Sequence, residues 1–130
     1  MVAYDLRLQV GLLVTRFSGV VDDGQLVGVY TELVGHPEWR AGLDEFADLR
    51  GADLTAVSSE GLRRVAELSE RLHSGADKVP RTAVLVDQDV NFGLGRMYEA
   101  FSAESPETLQ LFRDLDAALE WLGVPPDVLD

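Results

Sequence analysis

The stretch Pro80-Arg81-Thr82-Ala83-Val84-Leu85-Val86 decides the fold, because from Thr82 onward it is a nearly continuous apolar run. A strand with one wet face alternates; an unbroken run is the signature of a strand covered on both faces. Covering both faces calls for helices, and the flanking segments supply them. Upstream, Ser58 or Ser59 caps a helix with Glu60 in its first turn, favoured at the positive end of the dipole. Its apolar face is Leu62, Val65, Ala66 and Leu72. The segment from His73 to Pro80 reads as a surface loop leading into the strand. Downstream, Asp89 or Asn91 caps a helix carrying Leu94, Met97, Tyr98 and Phe101.

Further out the same grammar repeats. Tyr4 to Val10 alternates, with Tyr4, Leu6, Leu8 and Val10 on one side, and predicts a half-exposed strand. A turn near Gly11 leads into a second strand, Leu12 to Phe17, closed by Ser18-Gly19; together they predict a hairpin. Asp22 with Gln25 resembles a capping box before a helix with Leu26, Val29, Tyr30, Leu33 and Val34, which His36-Pro37 ends. Leu43 to Leu49 predicts a third strand, interrupted by Asp44, Glu45 and Asp48. Thr108 to Phe112 alternates again. Asp114 caps a last helix with Leu115, Ala118, Leu119 and Leu122, which Gly123 and Pro125-Pro126 stop. The order β β α β α β α β α predicts an α/β fold. Its mixed sheet of about five strands runs parallel after an antiparallel opening hairpin.

Composition sets the outer limits. A chain of 130 residues fits a single domain spanning 1–130 and buries about two-thirds of its unfolded surface, so a core can hold it without staples. With no cysteine, disulfides and thiolate metal sites are excluded. The start, Met1 to Arg7, lacks a basic segment followed by a long apolar run, and no stretch approaches a membrane span; the expectation is a cytoplasmic location. The formal charge is −12, and only Arg63-Arg64 pair among scattered basic residues, which argues against a nucleic-acid partner.

Three segments carry a family resemblance: Leu12-Leu13-Val14-Thr15-Arg16-Phe17-Ser18-Gly19, Asp48-Leu49-Arg50-Gly51, and Phe92-Gly93-Leu94-Gly95-Arg96-Met97-Tyr98-Glu99. With the closing Ala117-Ala118-Leu119-Glu120-Trp121-Leu122-Gly123, the chain resembles the SpoIIAA-like proteins, bacterial relatives of the STAS domain. The resemblance covers nearly the whole chain. It implies a sheet of about five strands with helices on its faces, related also to the CRAL-TRIO lipid-transfer fold, and no established activity. Anti-sigma-factor antagonists with this fold carry an Asp-Ser-Ser-Gly-Leu-like turn before the second helix. The serine before its glycine is phosphorylated, which breaks partner binding. The corresponding stretch here is Val57-Ser58-Ser59-Glu60-Gly61-Leu62, with Glu60 at the acceptor position and Ser58 at the aspartate position. Glu60 cannot be phosphorylated, which leaves Ser58 and Ser59 as candidate regulatory residues, against an ordinary role as helix caps.

Other constellations weigh less. Gly93-Leu94-Gly95 lacks the third glycine of a dinucleotide fingerprint, since position 98 is Tyr98, and reads better as close packing of a helix on the sheet. His36 and His73 share no ligand spacing and read as solvated, with His73 favoured in its charged form near a helix C-terminus. No nucleophile elbow occurs. Asp44, Glu45 and Asp48 would serve acid–base chemistry only if one were buried with a raised pKa; an acidic strand end is the commoner explanation. No cofactor, metal site or catalytic set is indicated, so a non-enzyme is expected.

The candidate ligand site is Asn91, Phe92, Arg96 and Tyr98, with Asp87 and Asp89 beside them, because ligands gather beyond the carboxyl ends of parallel strands. Arg96 could bind an anion there; against this, a structural ion pair from Arg96 to a nearby carboxylate is the commoner role. Two functions follow. The first is a non-catalytic regulatory module that docks a protein partner through helices beside the opening hairpin. The second is a carrier of a small apolar or lipid-like ligand, motivated by the CRAL-TRIO likeness and by Phe92, Tyr98 and Phe101. The opening strand, as an edge guarded by Asp5 and Arg7, also suggests a homodimer.

Overall fold

A computed structural model describes residues 1–101, 103 and 107–129. The chain opens with β1 (Val2–Arg7) and β2 (Leu12–Phe17), then β3 (Gly19–Val20) and helix α1 (Asp23–Val34). Next come β4 (Asp44–Asp48), β5 (Ala52–Asp53), α2 (Ser59–Leu72) and β6 (Arg81–Leu85). It closes with α3 (Asp89–Phe101), β7 (Thr108–Phe112) and α4 (Leu115–Leu122). The main sheet has five strands in the order β1-β2-β4-β6-β7. Only β1 runs antiparallel to its neighbour; β2, β4, β6 and β7 are mutually parallel, as crossover helices require. The expected α/β mixed sheet is therefore present.

Each face of the sheet has its own core. Leu13, Phe17, Ala47 and Val84 pack under Leu26 and Val29 of α1, Leu62 and Val65 of α2, and Leu94 of α3. Leu12, Val14, Phe46, Ala83 and Leu85 pack under Ala118, Leu119 and Leu122 of α4. Strand β6 feeds both cores, which is why its sequence does not alternate. Its first residue also anchors α4: the Arg81 guanidinium donates to the carbonyls of Trp121 (2.6 Å) and Leu122 (2.8 Å), which end the helix.

Three helix starts are those the sequence announces: Asp22 accepts from the Gln25 amide (2.8 Å), Ser58 from Gly61 (3.1 Å) and Asp114 from Ala117 (3.0 Å). At α3 the expected cap by Asp89 or Asn91 is not made among the described residues: the helix begins at Asp89, the Phe92 amide donates to the Gln88 carbonyl, and the Asn91 side chain is engaged by Ala52. Two further details differ. The alternation through Leu8 and Val10 does not extend β1, because Leu8–Val10 form a 3-10 turn closed by Gly11 at φ 65°. The short parallel ladder of β3 with β5 was not anticipated; two residues per strand are too few to show a period.

Gly93 and Gly95 play opposite parts on α3. A Cβ on Gly95 would come within 2.5 Å of Leu111 Cδ2, whereas one on Gly93 meets nothing within 4 Å. Helix α3 therefore sits on β7 through Gly95. Gly93→Ala is expected to stabilise the protein by up to about 1 kcal/mol through helix propensity. Gly95→Ala is expected to destabilise it by about 1–3 kcal/mol through overpacking. Urea unfolding of both variants checks this, and an equal response to the two would contradict the packing described.

Candidate functional site

Strand β4 reads Asp44-Glu45-Phe46-Ala47-Asp48, and its pleat sends neighbours to opposite faces. Asp44 lies on the rim, where it accepts from Lys78 Nζ (3.0 Å) and the Arg81 amide (2.8 Å). Phe46 enters the core beneath α4. Glu45 shares its face with Ala47 and turns toward α1–α3. It sits in a row across the sheet, between Leu13 of β2 and Thr82 of β6. The acids of this strand thus part company: Asp44, 7% exposed, is paired with Lys78, whereas Glu45, 9% exposed, turns toward the helices with no cation beside it among the described residues.

A cavity of about 80 Å³ lies between this face and the three helices. Most of its wall is apolar, including Phe17, Leu49, Leu54, Val65, Leu94 and Leu109. Its polar lining is Tyr30, Glu45, Ser69, Thr82, Tyr98 and Glu107, and no Lys, Arg or His lines it among the described residues. Glu45 Oε2 accepts from Thr15 Oγ1 and from Tyr30 Oη, both at 2.7 Å. Glu107 accepts from Ser69 Oγ (2.8 Å) and Tyr98 Oη (3.2 Å) on one oxygen, and from Thr82 Oγ1 (2.8 Å) on the other. Five hydroxyls therefore spend their protons on two carboxylates.

Burial pushes the Glu45 carboxyl up to about 7; the hydrogen bonds from Tyr30 and Thr15 oppose the rise and the nearby charge of Glu107 adds to it. Burial also holds Tyr98 well above the usual tyrosine range, helped by the charges of Glu107 and Glu45. Tyr30 is raised in the same way, by burial and then by Glu45. The condition set for acid–base chemistry at this strand, one carboxylate buried with a raised pKa, is met by Glu45. The strand is more than an acidic rim.

The residues singled out from the sequence are divided between inside and outside. Tyr98 lines the cavity. Asn91 is fully buried and ties α3 to β5, its Nδ2 donating to the Ala52 carbonyl at 3.1 Å. Phe92 is half-buried, with the guanidinium carbons of Arg96 and Arg113 5.1 Å and 4.8 Å from its ring centre. Arg96 is exposed and pairs with Glu99 at 3.1 Å, the structural role weighed against ligand binding. Asp89 pairs with Arg113 at 2.7 Å.

Ser58 is exposed and caps α2, and its amide and hydroxyl both donate to Asp23 of α1. Ser59 is the exposed first residue of α2. His73 corrects an expectation. It is 5% exposed, not solvated; burial lowers its pKa, and its Nδ1 accepts from the Gly42 amide at 3.2 Å, so packing against Trp39 overrides the pull of the helix end.

Glu107 escaped sequence reasoning because it precedes β7 as an ordinary polar residue next to Pro106. Among the described residues, no group of three His, Asp or Glu side chains could hold a metal ion.

The raised pKa of Glu45 fixes a pH dependence. An unfolded glutamate titrates near 4.5. Between that value and about 7 the folded state binds more protons than the unfolded one, so its stability falls as pH rises through this window and levels off above it. Glu45→Gln, which mimics the neutral acid, is expected to remove this loss. The variant should gain on the parent by on the order of 3 kcal/mol between pH 4 and pH 8, at about 1.4 kcal/mol per pKa unit. Denaturant unfolding at the two pH values measures it; parallel pH profiles would refute it.

Comparison with known proteins adds the fold. No family model matches the chain, and no curated protein matches it. Among solved structures, it is similar to an uncharacterised protein of the DUF3478 family with a SpoIIAA-like fold from Shewanella loihica PV-4. The identity is 18%, the match covers 93% of each chain, and the TM-score is 0.61. With the strand order and crossover directions already described, this likeness establishes a SpoIIAA-like fold for the chain.

Proposed function

We propose that this chain is a binding protein, or carrier, for a small and largely apolar ligand held between the sheet and helices α1–α3. The observation that supports this reading is the cavity itself, with apolar walls and a cluster of hydrogen-bonding groups among them, the usual construction of a ligand site. At about 80 Å³ it is smaller than the ~150 Å³ cavity that admits benzene, so it suits a short chain or small fragment. The carrier reading of the fold likeness points the same way, as an analogy.

A second reading, a regulatory module that docks a protein partner, draws support from the exposed cap of α2. Ser58 joins α2 to Asp23 of α1, and a phosphate there would bring like charge against that carboxylate and alter the junction of the two helices.

Xenon tests the carrier reading, because it is neutral, apolar and able to enter small cavities. Pressurising the protein with xenon is expected to shift the methyl resonances of Val65, Val84 and Leu94 saturably. In Ala47→Val, which narrows the cavity from the sheet side, the response should fall several-fold while the circular dichroism spectrum is unchanged. Absence of a saturable response in the parent protein would overturn the reading.

A further inference from the structure

We infer that the ligand carries a protonated amine, seated between Glu45 and Glu107, with its alkyl body against Val65, Leu94 and Leu109. This rests on the binding-protein reading and names the chemistry its ligand must bring. The first ground is the state of the hydrogen bonds. Thr15 and Tyr30 donate to Glu45, and Ser69, Thr82 and Tyr98 donate to Glu107. Hydroxyls so committed have only acceptor capacity left for a newcomer. The polar part of the cavity is therefore rich in acceptors and poor in donors.

The second ground is Glu45 itself. Both of its hydrogen bonds go to Oε2, and Oε1 receives none among the described residues, although the side chain is about nine-tenths buried and lines the cavity. Oε1 is not one of the fully covered unpartnered atoms, so it keeps accessible surface, and a ligand N–H can reach it as a charge-assisted donor.

The third ground is charge. No basic side chain lines the cavity among the described residues, so the two carboxylates face each other's field without a counterion. An ammonium offers donors and no acceptor, which suits a polar lining rich in acceptors and negative in sign. Once Glu45 is ionised, a carboxylate or phosphate ligand would meet repulsion and find no free donor. The net charge of −12 further enriches cations over anions around the chain. The two carboxylates also lie within one neighbourhood of the sheet: Thr82, the donor to Glu107, is the cross-strand partner of Glu45.

Two small probes of nearly equal shape separate this from a purely apolar preference: ethylamine and ethanol, titrated against the protein while methyl resonances are followed. Ethylamine is expected to bind at least tenfold more tightly than ethanol at pH 8. Glu45→Gln and Glu107→Gln should each weaken the amine at least tenfold, and Glu45→Gln should leave ethanol within twofold. The amine's advantage should also grow from pH 6 to pH 8 as Glu45 ionises. The groups facing Glu45 are Tyr30 from α1, Tyr98 from α3 and Glu107 before β7, with His73 near Glu107 at the end of α2. Both tyrosines are raised away from that range and His73 is lowered by burial. Equal affinity for the two probes, or an amine affinity unmoved by either substitution, overturns the inference while a positive xenon response keeps the cavity reading standing. Silence toward xenon as well removes both.

Discussion

Four parallel strands can persist only if neither face of their sheet meets water, and most of this structure follows from that constraint. Parallel neighbours cannot be joined by a tight turn, so each crossover must span the sheet, and a helix does this while burying an apolar stripe. Three of the helices, α1–α3, fall on one face and α4 falls on the other. The smaller face is closed by a short helix, which Arg81 fastens by its terminal carbonyls. The larger face must be roofed by three separate helices, and the cavity lies where their coverage is incomplete.

Polar groups in that space are held at a cost. Burying a carboxylate against apolar walls is unfavourable unless the charge is paired or hydrogen-bonded. Glu107 is held by three hydroxyls, while Glu45 has two and a pKa displaced toward neutrality. A sheet built only for stability would carry a leucine or valine at such a position. The arrangement is therefore a departure from the local rule that inward positions are apolar, and departures of this kind concentrate at sites of function.

The fold was legible because its signals are local and repeated. Asp22, Ser58 and Asp114 mark helix starts, Gly123 marks a stop, and the run through Val86 announces a strand with two covered faces. The site was less legible. Tyr98 was visible as an aromatic on an amphipathic helix, but nothing in the sequence separates a tyrosine that lines a cavity from one that fills a core. Glu45 was noticed with Asp44 and Asp48, yet three acids in one short strand look alike until the register says which faces inward. Glu107 reaches the site through Ser69, Thr82 and Tyr98, residues 38, 25 and 9 positions away in the chain. Proximity of that kind is a product of topology and leaves no local trace.

The three roofing helices are not held equally. Seven residues of α2 are buried, and four of α1, whereas α3 has only Asn91 fully covered. Fewer fully covered residues mean a smaller free energy for local opening, so the amides of α3 are the ones in this roof whose protection from solvent exchange is lowest. A guest seated against Leu94 would therefore register first as slowed hydrogen exchange along α3.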